Sequence, residues 1–366
     1  MKAVILRQPR QLELIDIPRP RLTEENHVLV QVRACGICGS DLRYFAGENP
    51  WALHTLGRHV DNPPDMILGH EFSGVVVEVN SPRHESLLGQ RVGVQAFRTC
   101  GKCALCTGGH ENLCRDTLHI GHAQGWGQME HYPGGYAKYC LAWADLLHPM
   151  ADHVSFEAEA MRDILGVAVH AVGRADVAAG ASVLCIGGGP AGLCIAQVAH
   201  ARGAAHVLVS DPSPLARAII GRYAGLSAMD PRSESLADGL RRTMGQAQCQ
   251  AIFDTVGSAD TFREALALLA PAGTYVNLAV QELTVPLNLG SVGSERRITA
   301  SSNAFYRDER EAHRLIESGA VDVASMITHR FPLEQYAEAF DLLLCASREA
   351  YKVVFEFSNE YNETMP

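Results

Sequence analysis

The chain has 366 residues, 47% of them hydrophobic and 20% charged, with a formal net charge of -10 at pH 7. That length exceeds one ordinary core and predicts two domains, and the acidic balance without basic runs excludes a nucleic-acid or anionic-membrane surface. No signal-peptide pattern and no run of eighteen apolar residues is present, and cysteines in apolar segments such as Val183-Leu184-Cys185-Ile186 read as reduced, buried thiols, so a soluble, reducing, cytoplasmic setting is expected.

In chain order, residues 2–6, 12–17 and 27–34 read as short strands, followed by 73–79 and 91–97, with Gly and Pro turns between them. Such spacing predicts an irregular, barrel-like all-β domain over residues 1–155. The third strand runs into Cys35-Gly-Ile-Cys38-Gly-Ser40-Asp41-Leu-Arg43, and Leu68-Gly69-His70-Glu71 opens a later one. Cys38 and His70, each in a glycine-flanked turn, are candidate ligands of an open, catalytic zinc, with Glu71 as a ligand or a supporting carboxylate. A redox pair at Cys35 and Cys38 is the competing reading. A third ligand is expected near the domain boundary, where Glu157, Glu159, Asp163 and His170 all qualify.

Cys100, Cys103, Cys106 and Cys114 follow the spacing C-x2-C-x2-C-x7-C, with glycines at 101, 108 and 109 that let the backbone turn. Four thiolates converging on one point make a closed structural zinc site; an iron–sulfur cluster or a disulfide pair would use the same residue type. The stretch from His119 to Tyr136 is rich in His and Gly. It reads as a solvent loop, a substrate-lining loop or, less simply, a further metal site, and His54 and His59 invite the first two readings.

The pattern then changes to alternating helices and strands over 156–300. Gly187-Gly-Gly189-Pro190-Ala191-Gly192 follows the apolar strand 183–186 and opens a helix, a G-x-G-x-x-G turn for a pyrophosphate. Asp211 closes the next strand, His206–Ser210, where its carboxylate would accept from ribose hydroxyls and repel a 2'-phosphate, which favours NAD over NADP. Helices are expected near 214–222, 234–243, 260–269 and 308–318, and strands near 250–254, 274–279 and 297–302, giving a doubly wound parallel sheet. Segment 301–366 completes that domain and returns through strands at 326–331 and 351–357 to the first, leaving a frayed polar tail at 358–366.

These motifs, with Met326-Ile-Thr-His-Arg-Phe-Pro-Leu333, resemble the zinc-containing medium-chain alcohol dehydrogenases over essentially the whole chain, in particular their polyol, sorbitol and threonine dehydrogenase-like branch. The resemblance implies an α/β protein with a GroES-like catalytic domain, which includes a zinc lobe at 97–116, and a Rossmann NAD domain. It also implies two zinc ions per chain and a homodimer or homotetramer pairing strands near 297–302. Cys38 and His70 then resemble the first two catalytic ligands. Asp163, seven residues before His170, resembles the third, and Glu71 the adjacent carboxylate that could replace it. Ser40 resembles the hydroxyl that passes the substrate proton outward. Arg43 stands where the family often places a relay histidine; being a poor base, it leaves the relay to His54, His59 or solvent, or itself meets a phosphate or carboxylate. A longer segment at 49–61 is expected to reshape the substrate entrance. The implied reaction is NAD-dependent oxidation of a secondary alcohol in a polyol or sugar derivative, with the ketone as reverse substrate. A hydroxy-amino acid, amino alcohol or acidic sugar is the alternative substrate class, and a non-catalytic cofactor-binding protein the distant one.

Overall fold

The structure, a computed structural model, describes residues 1–281, 283–345 and 349–358. Apart from Ser358, the tail expected to fray lies outside them. The chain divides into two compact units, residues 1–163 with 323–366, and residues 164–322.

The first unit is built on a seven-stranded sheet in which His27–Gly36 is the hub. It pairs antiparallel with Glu71–Val79, with Tyr139–Trp143 and with the C-terminal strand Lys352–Glu356. Its residues are mostly buried, as expected for a strand with partners on every side. A smaller sheet of Lys2–Gln8, Gln11–Asp16 and Met66–Ile67 lies beside it. One core, including Tyr44, Phe72, Tyr136, Trp143, Phe340 and Phe355, joins these elements. The segment at 49–61 contains the helix Pro50–Leu56, started by Pro50 and by Asn49, whose side chain accepts from the Ala52 N–H.

The second unit is a six-stranded, wholly parallel sheet. Its order across the sheet is Leu226–Met229, His206–Ser210, Ser182–Ile186, Cys249–Asp254, Leu269–Asn277 and Arg297–Ala300. Numbered along this unit the order is 3-2-1-4-5-6, so the direction of winding reverses between Ser182–Ile186 and Cys249–Asp254. All five residues of Ser182–Ile186 are buried, which explains its unbroken apolar run. The outermost strand, Arg297–Ala300, is exposed at three of its four residues.

Candidate active site

Two strand registers assemble the candidate ligand cluster. Gly36 stands opposite Glu71 in the antiparallel pair, so the turn leaving the first strand and the turn entering the second lie side by side. Cys38 caps the helix Gly39–Phe45, and Gly69, at φ 88°, delivers His70. Glycine is required at position 36, because a Cβ there would run into the Glu71 carboxylate. Ligand atoms of Cys38, His70 and Glu71 all lie within 4.8 Å of one another. Asp163 Oδ2 is 4.0 Å from His70 Nε2.

The second register pairs Val354 with Gly36 and carries Lys352 into this core. Its ammonium donates to Glu71 Oε2 at 2.5 Å and to the Ile37 carbonyl at 2.9 Å. Glu71 Oε1 is buried without a hydrogen-bond partner among the described residues. Burial opposes the Lys352 charge, but Glu71 and Cys38 outweigh it and push the ammonium above its usual range. A thiol, an imidazole and a carboxylate oxygen with an unspent lone pair form a donor set suited to zinc.

His70 is surrounded by further polar groups. Asp41 Oδ2 accepts from the Cys38 N–H and from Tyr136 Oη, each at 2.8 Å. Burial alone would raise the Asp41 carboxyl; His70, the Cys38 N–H and Tyr136 together hold it below the ordinary range. His122 Nε2 lies 3.0 Å from His70 Nδ1. Burial, then His119 and His70, hold the His122 imidazole well below its usual value, and burial and His70 push His119 down to about 4. For His70 the balance is reversed: burial disfavours its charge, yet Asp41 and Cys38 push it well above the usual value. The pocket around Cys38, His70 and Asp41 therefore favours positive charge.

Of the four candidates for a third ligand, three are occupied elsewhere. Glu159 is buried 3.3 Å from Arg162, and His170 Nδ1 pairs with Asp308 at 2.8 Å. Glu157 hydrogen-bonds to Glu356. Ser40 Oγ is buried without a hydrogen-bond partner among the described residues. The Arg43 guanidinium pairs with Glu48 at 2.6 Å, and His59 pairs with Asp61. Sequence reading missed the parts played by Asp41, Lys352, Tyr136 and His122. The Asp of Cys38-Gly-Ser-Asp41 was the available signal, since it caps the helix three residues beyond Cys38.

The four cysteines of the lobe converge. Cys106 Sγ is 3.5 Å from Cys103 Sγ and 3.9 Å from Cys100 Sγ, and Cys103 is 4.0 Å from Cys114. Four sulfurs at ~2.3 Å from a tetrahedral zinc would be about 3.8 Å apart, so the lobe has the required size. Backbone N–H groups of Lys102 and Cys103 pull the Cys100 thiol down to about 6. Burial and the adjoining Cys103 push Cys106 up to about 12. Four thiolates so close need a cation to coexist.

In the second unit, the glycine turn sits at the reversal point of the sheet. Gly187 adopts φ 93°. A Cβ on Gly192 would strike the Gly187 carbonyl, whereas one on Gly189 would meet nothing within 4 Å. The first glycine therefore makes the turn, the last allows close helix packing, and the middle one leaves an open face. Pro190 and Ala191 start the helix Pro190–Ala201 and present its N-terminus to an anion. Asp211 accepts from the Gly188 N–H at 2.8 Å and the Ser213 N–H at 2.7 Å. Each of its oxygens keeps a lone pair for a further donor. Arg217 and Arg232 stand nearby, both paired with Asp230.

Residues 24–152 match the alcohol dehydrogenase GroES-like domain, and residues 190–318 match the zinc-binding dehydrogenase domain. L-galactonate-5-dehydrogenase of Escherichia coli (strain K12) is 29% identical over 360 residues, 98% of this chain and 99% of that one. "Probable D-xylulose reductase A" of Neosartorya fischeri is 30% identical over 342 residues, covering 92% and 91%. Among solved structures, an alcohol dehydrogenase from Thermus sp. ATN1 is similar with a TM-score of 0.84 at 25% identity, over 97% of this chain and 99% of that one.

Proposed function

Because the chain belongs to the zinc-type medium-chain dehydrogenase family, in its polyol and sugar-alcohol branch, we propose that it oxidises a secondary alcohol of a neutral polyol or sugar derivative with NAD. The observation that carries this reading is the convergence of Cys38, His70 and Glu71 donor atoms within 4.8 Å, with Glu71 Oε1 unpaired. Cys38 and His70 would hold a catalytic zinc with one carboxylate, Asp163 or Glu71. Cys100, Cys103, Cys106 and Cys114 would hold a structural one, making two per chain. Bound there, zinc would supply Lewis-acid polarisation of the substrate oxygen, and NAD the hydride acceptor.

The chain's own groups do the rest. One thiolate and one carboxylate balance the charge of a divalent ion; a second carboxylate would overbalance it, and Lys352 already neutralises Glu71. Asp163 is therefore the favoured resting ligand, with Glu71 in reserve. Ser40 Oγ, without another partner, takes the alcohol proton and passes it outward. Gly187, Gly189, Pro190, Ala191 and Gly192 seat the pyrophosphate, and Asp211 receives the ribose hydroxyls.

A substrate without a carboxylate fits best. Arg43 is taken by Glu48, Lys352 by Glu71, and His119 and His122 are held neutral. The similarity to a galactonate dehydrogenase supports an acidic sugar as the second reading. An NADH-absorbance screen of polyols, aldonic acids and hydroxy-amino acids separates them: turnover of secondary polyols is expected, and an acid that reacts while every polyol stays inert overturns the choice.

The edge of the second sheet supports self-assembly. Among the described residues Arg297–Ala300 is paired on one side only, and Leu289 and Ile298 are 79% and 37% exposed. A second copy pairing along that edge would cover them, and light scattering should return a dimer or tetramer mass rather than that of one chain. No helix among the described residues is long and apolar enough to cross a membrane. All eleven cysteines are free thiols, as a reducing, cytoplasmic location would keep them.

A further inference from the structure

We infer that His122 is a positioning residue: it accepts the Nδ1 proton of His70 and thereby holds Nε2 as the lone pair offered to the metal. The inference rests on the zinc reading above and concerns what orients its imidazole ligand.

His70 has two candidate acceptors at Nδ1. His122 Nε2 is at 3.0 Å, and Asp41 Oδ1 is at 3.5 Å. The first is an ordinary N–H···N separation; the second lies at the outer limit for a hydrogen bond. Asp41 Oδ2 is anchored by the Cys38 N–H and Tyr136 Oη, and Oδ1 is buried without a hydrogen-bond partner among the described residues. It therefore supplies negative potential, whereas His122 supplies the directed acceptor.

His122 sits on a rigid platform. Its ring stacks on His119 at 4.0 Å and 19°, and lies 4.6 Å from the Tyr44 ring. His119 is fixed through Nδ1 to the Ile120 carbonyl at 2.8 Å, and its own carbonyl accepts from Trp126 Nε1. Between them Gly121, at φ 84°, packs so closely on Gly69 that a Cβ would meet the Gly69 carbonyl at 2.5 Å. The loop bearing the acceptor is thus braced against the turn bearing the ligand.

The tautomers follow. Were His122 to donate from Nε2, His70 Nδ1 would have to accept, placing the His70 proton on Nε2 and blocking the metal. Metal ligation through Nε2 requires the reverse, with the His122 proton on Nδ1. That atom is buried without a hydrogen-bond partner among the described residues, so the lone pair at Nε2 is the only polar contact this imidazole makes. Partners of this type orient metal-bound histidines and typically change metal affinity about 10–100-fold when removed.

The test compares full-length His122→Phe, His122→Asn and His122→Gln with the unaltered chain, loaded with zinc and dialysed against graded chelator. Glutamine places its oxygen near the Nε2 position, asparagine near Nδ1, and phenylalanine keeps only the stack. We expect His122→Phe and His122→Asn to lose one zinc at about 10–100-fold lower chelator concentration than the unaltered chain, with His122→Gln largely restored. The lobe zinc should remain in all four as the internal count, and thermal melting reports folding. Should phenylalanine fail to fold, the Asn–Gln contrast gives the same answer. Equal retention in all variants, or equal loss in Gln and Asn, overturns the inference. An unaltered chain that takes up only the lobe zinc would instead refute the catalytic-zinc reading itself.

Discussion

Lys352 and Glu71, 281 positions apart, form a buried ion pair at 2.5 Å beneath the candidate metal ligands. Neither side chain is more than 3% exposed. The pair leaves Oε1 as the one unpaired oxygen of Glu71, which keeps a carboxylate available beside Cys38 and His70.

Breaking that pair from one side strands a charge. Lys352→Met is expected to cost about 3–5 kcal/mol, the range for removing one partner of a buried ion pair. Urea unfolding at pH 7 measures it. Adding Glu71→Gln to the same chain should recover much of the loss, since no charge is then left unpaired. A single-variant loss within error would show that Glu71 does not depend on Lys352.

Ser40→Ala removes the unpartnered buried hydroxyl beside Cys38. If it carries the substrate proton, kcat should fall by about 10²–10⁴-fold, the range for a positioned proton-transfer group. Cofactor affinity, followed by NADH fluorescence, should stay the same. Unchanged turnover removes Ser40 from the relay.

The lobe should be separable from catalysis by metal count. Cys106→Ser breaks the closed set of four sulfurs, and elemental analysis is expected to fall from two zincs per chain to one. Limited proteolysis should then cut between 100 and 114, because the lobe's few apolar contacts do not hold it without metal. Two zincs in the variant would exclude the four-sulfur site.

Asp211→Ala tests cofactor choice. Hydrogen bonds to a charged group contribute about 1.5–3 kcal/mol, so NADH affinity should drop by about 10–100-fold. NADPH binding should improve relative to it, since the repelling carboxylate is gone and Arg217 and Arg232 remain close. A variant with an unchanged NADH-to-NADPH ratio would place the selectivity elsewhere.

Asp230 should contribute to the acid limb of stability. Side-chain and backbone hydrogen bonds with Arg232, then the Arg217 charge, hold its carboxyl well below its ordinary value of 3.8. A depressed native value means that the unfolded chain binds the proton first as pH falls. The contribution is therefore complete above pH 3.8 and is lost progressively as the pH falls toward the native value. Melting curves of the unaltered chain and Asp230→Asn should differ at pH 6 and draw steadily together as the pH falls below 3.8. A gap that widens in acid would reverse the sign.

The parts legible in the sequence are those the local chain encodes. The C-x2-C-x2-C-x7-C run, the Gly187–Gly192 turn after a buried apolar strand and the helix-opening Cys38 all carry their chemistry within a short window. Backbone turning and ligand spacing are decided there. Tertiary structure decided which groups meet. The opposition of Gly36 and Glu71 sets Cys38 beside His70, and the C-terminal strand carries Lys352 under them. The stacked loop places His122 against His70. Pairing also removed choices that composition left open: Glu159 went to Arg162, His170 to Asp308 and Arg43 to Glu48. Each outcome depends on strand register and burial between segments far apart in sequence. A polar side chain's role is set by the partner that satisfies it, and only the folded chain brings that partner within reach.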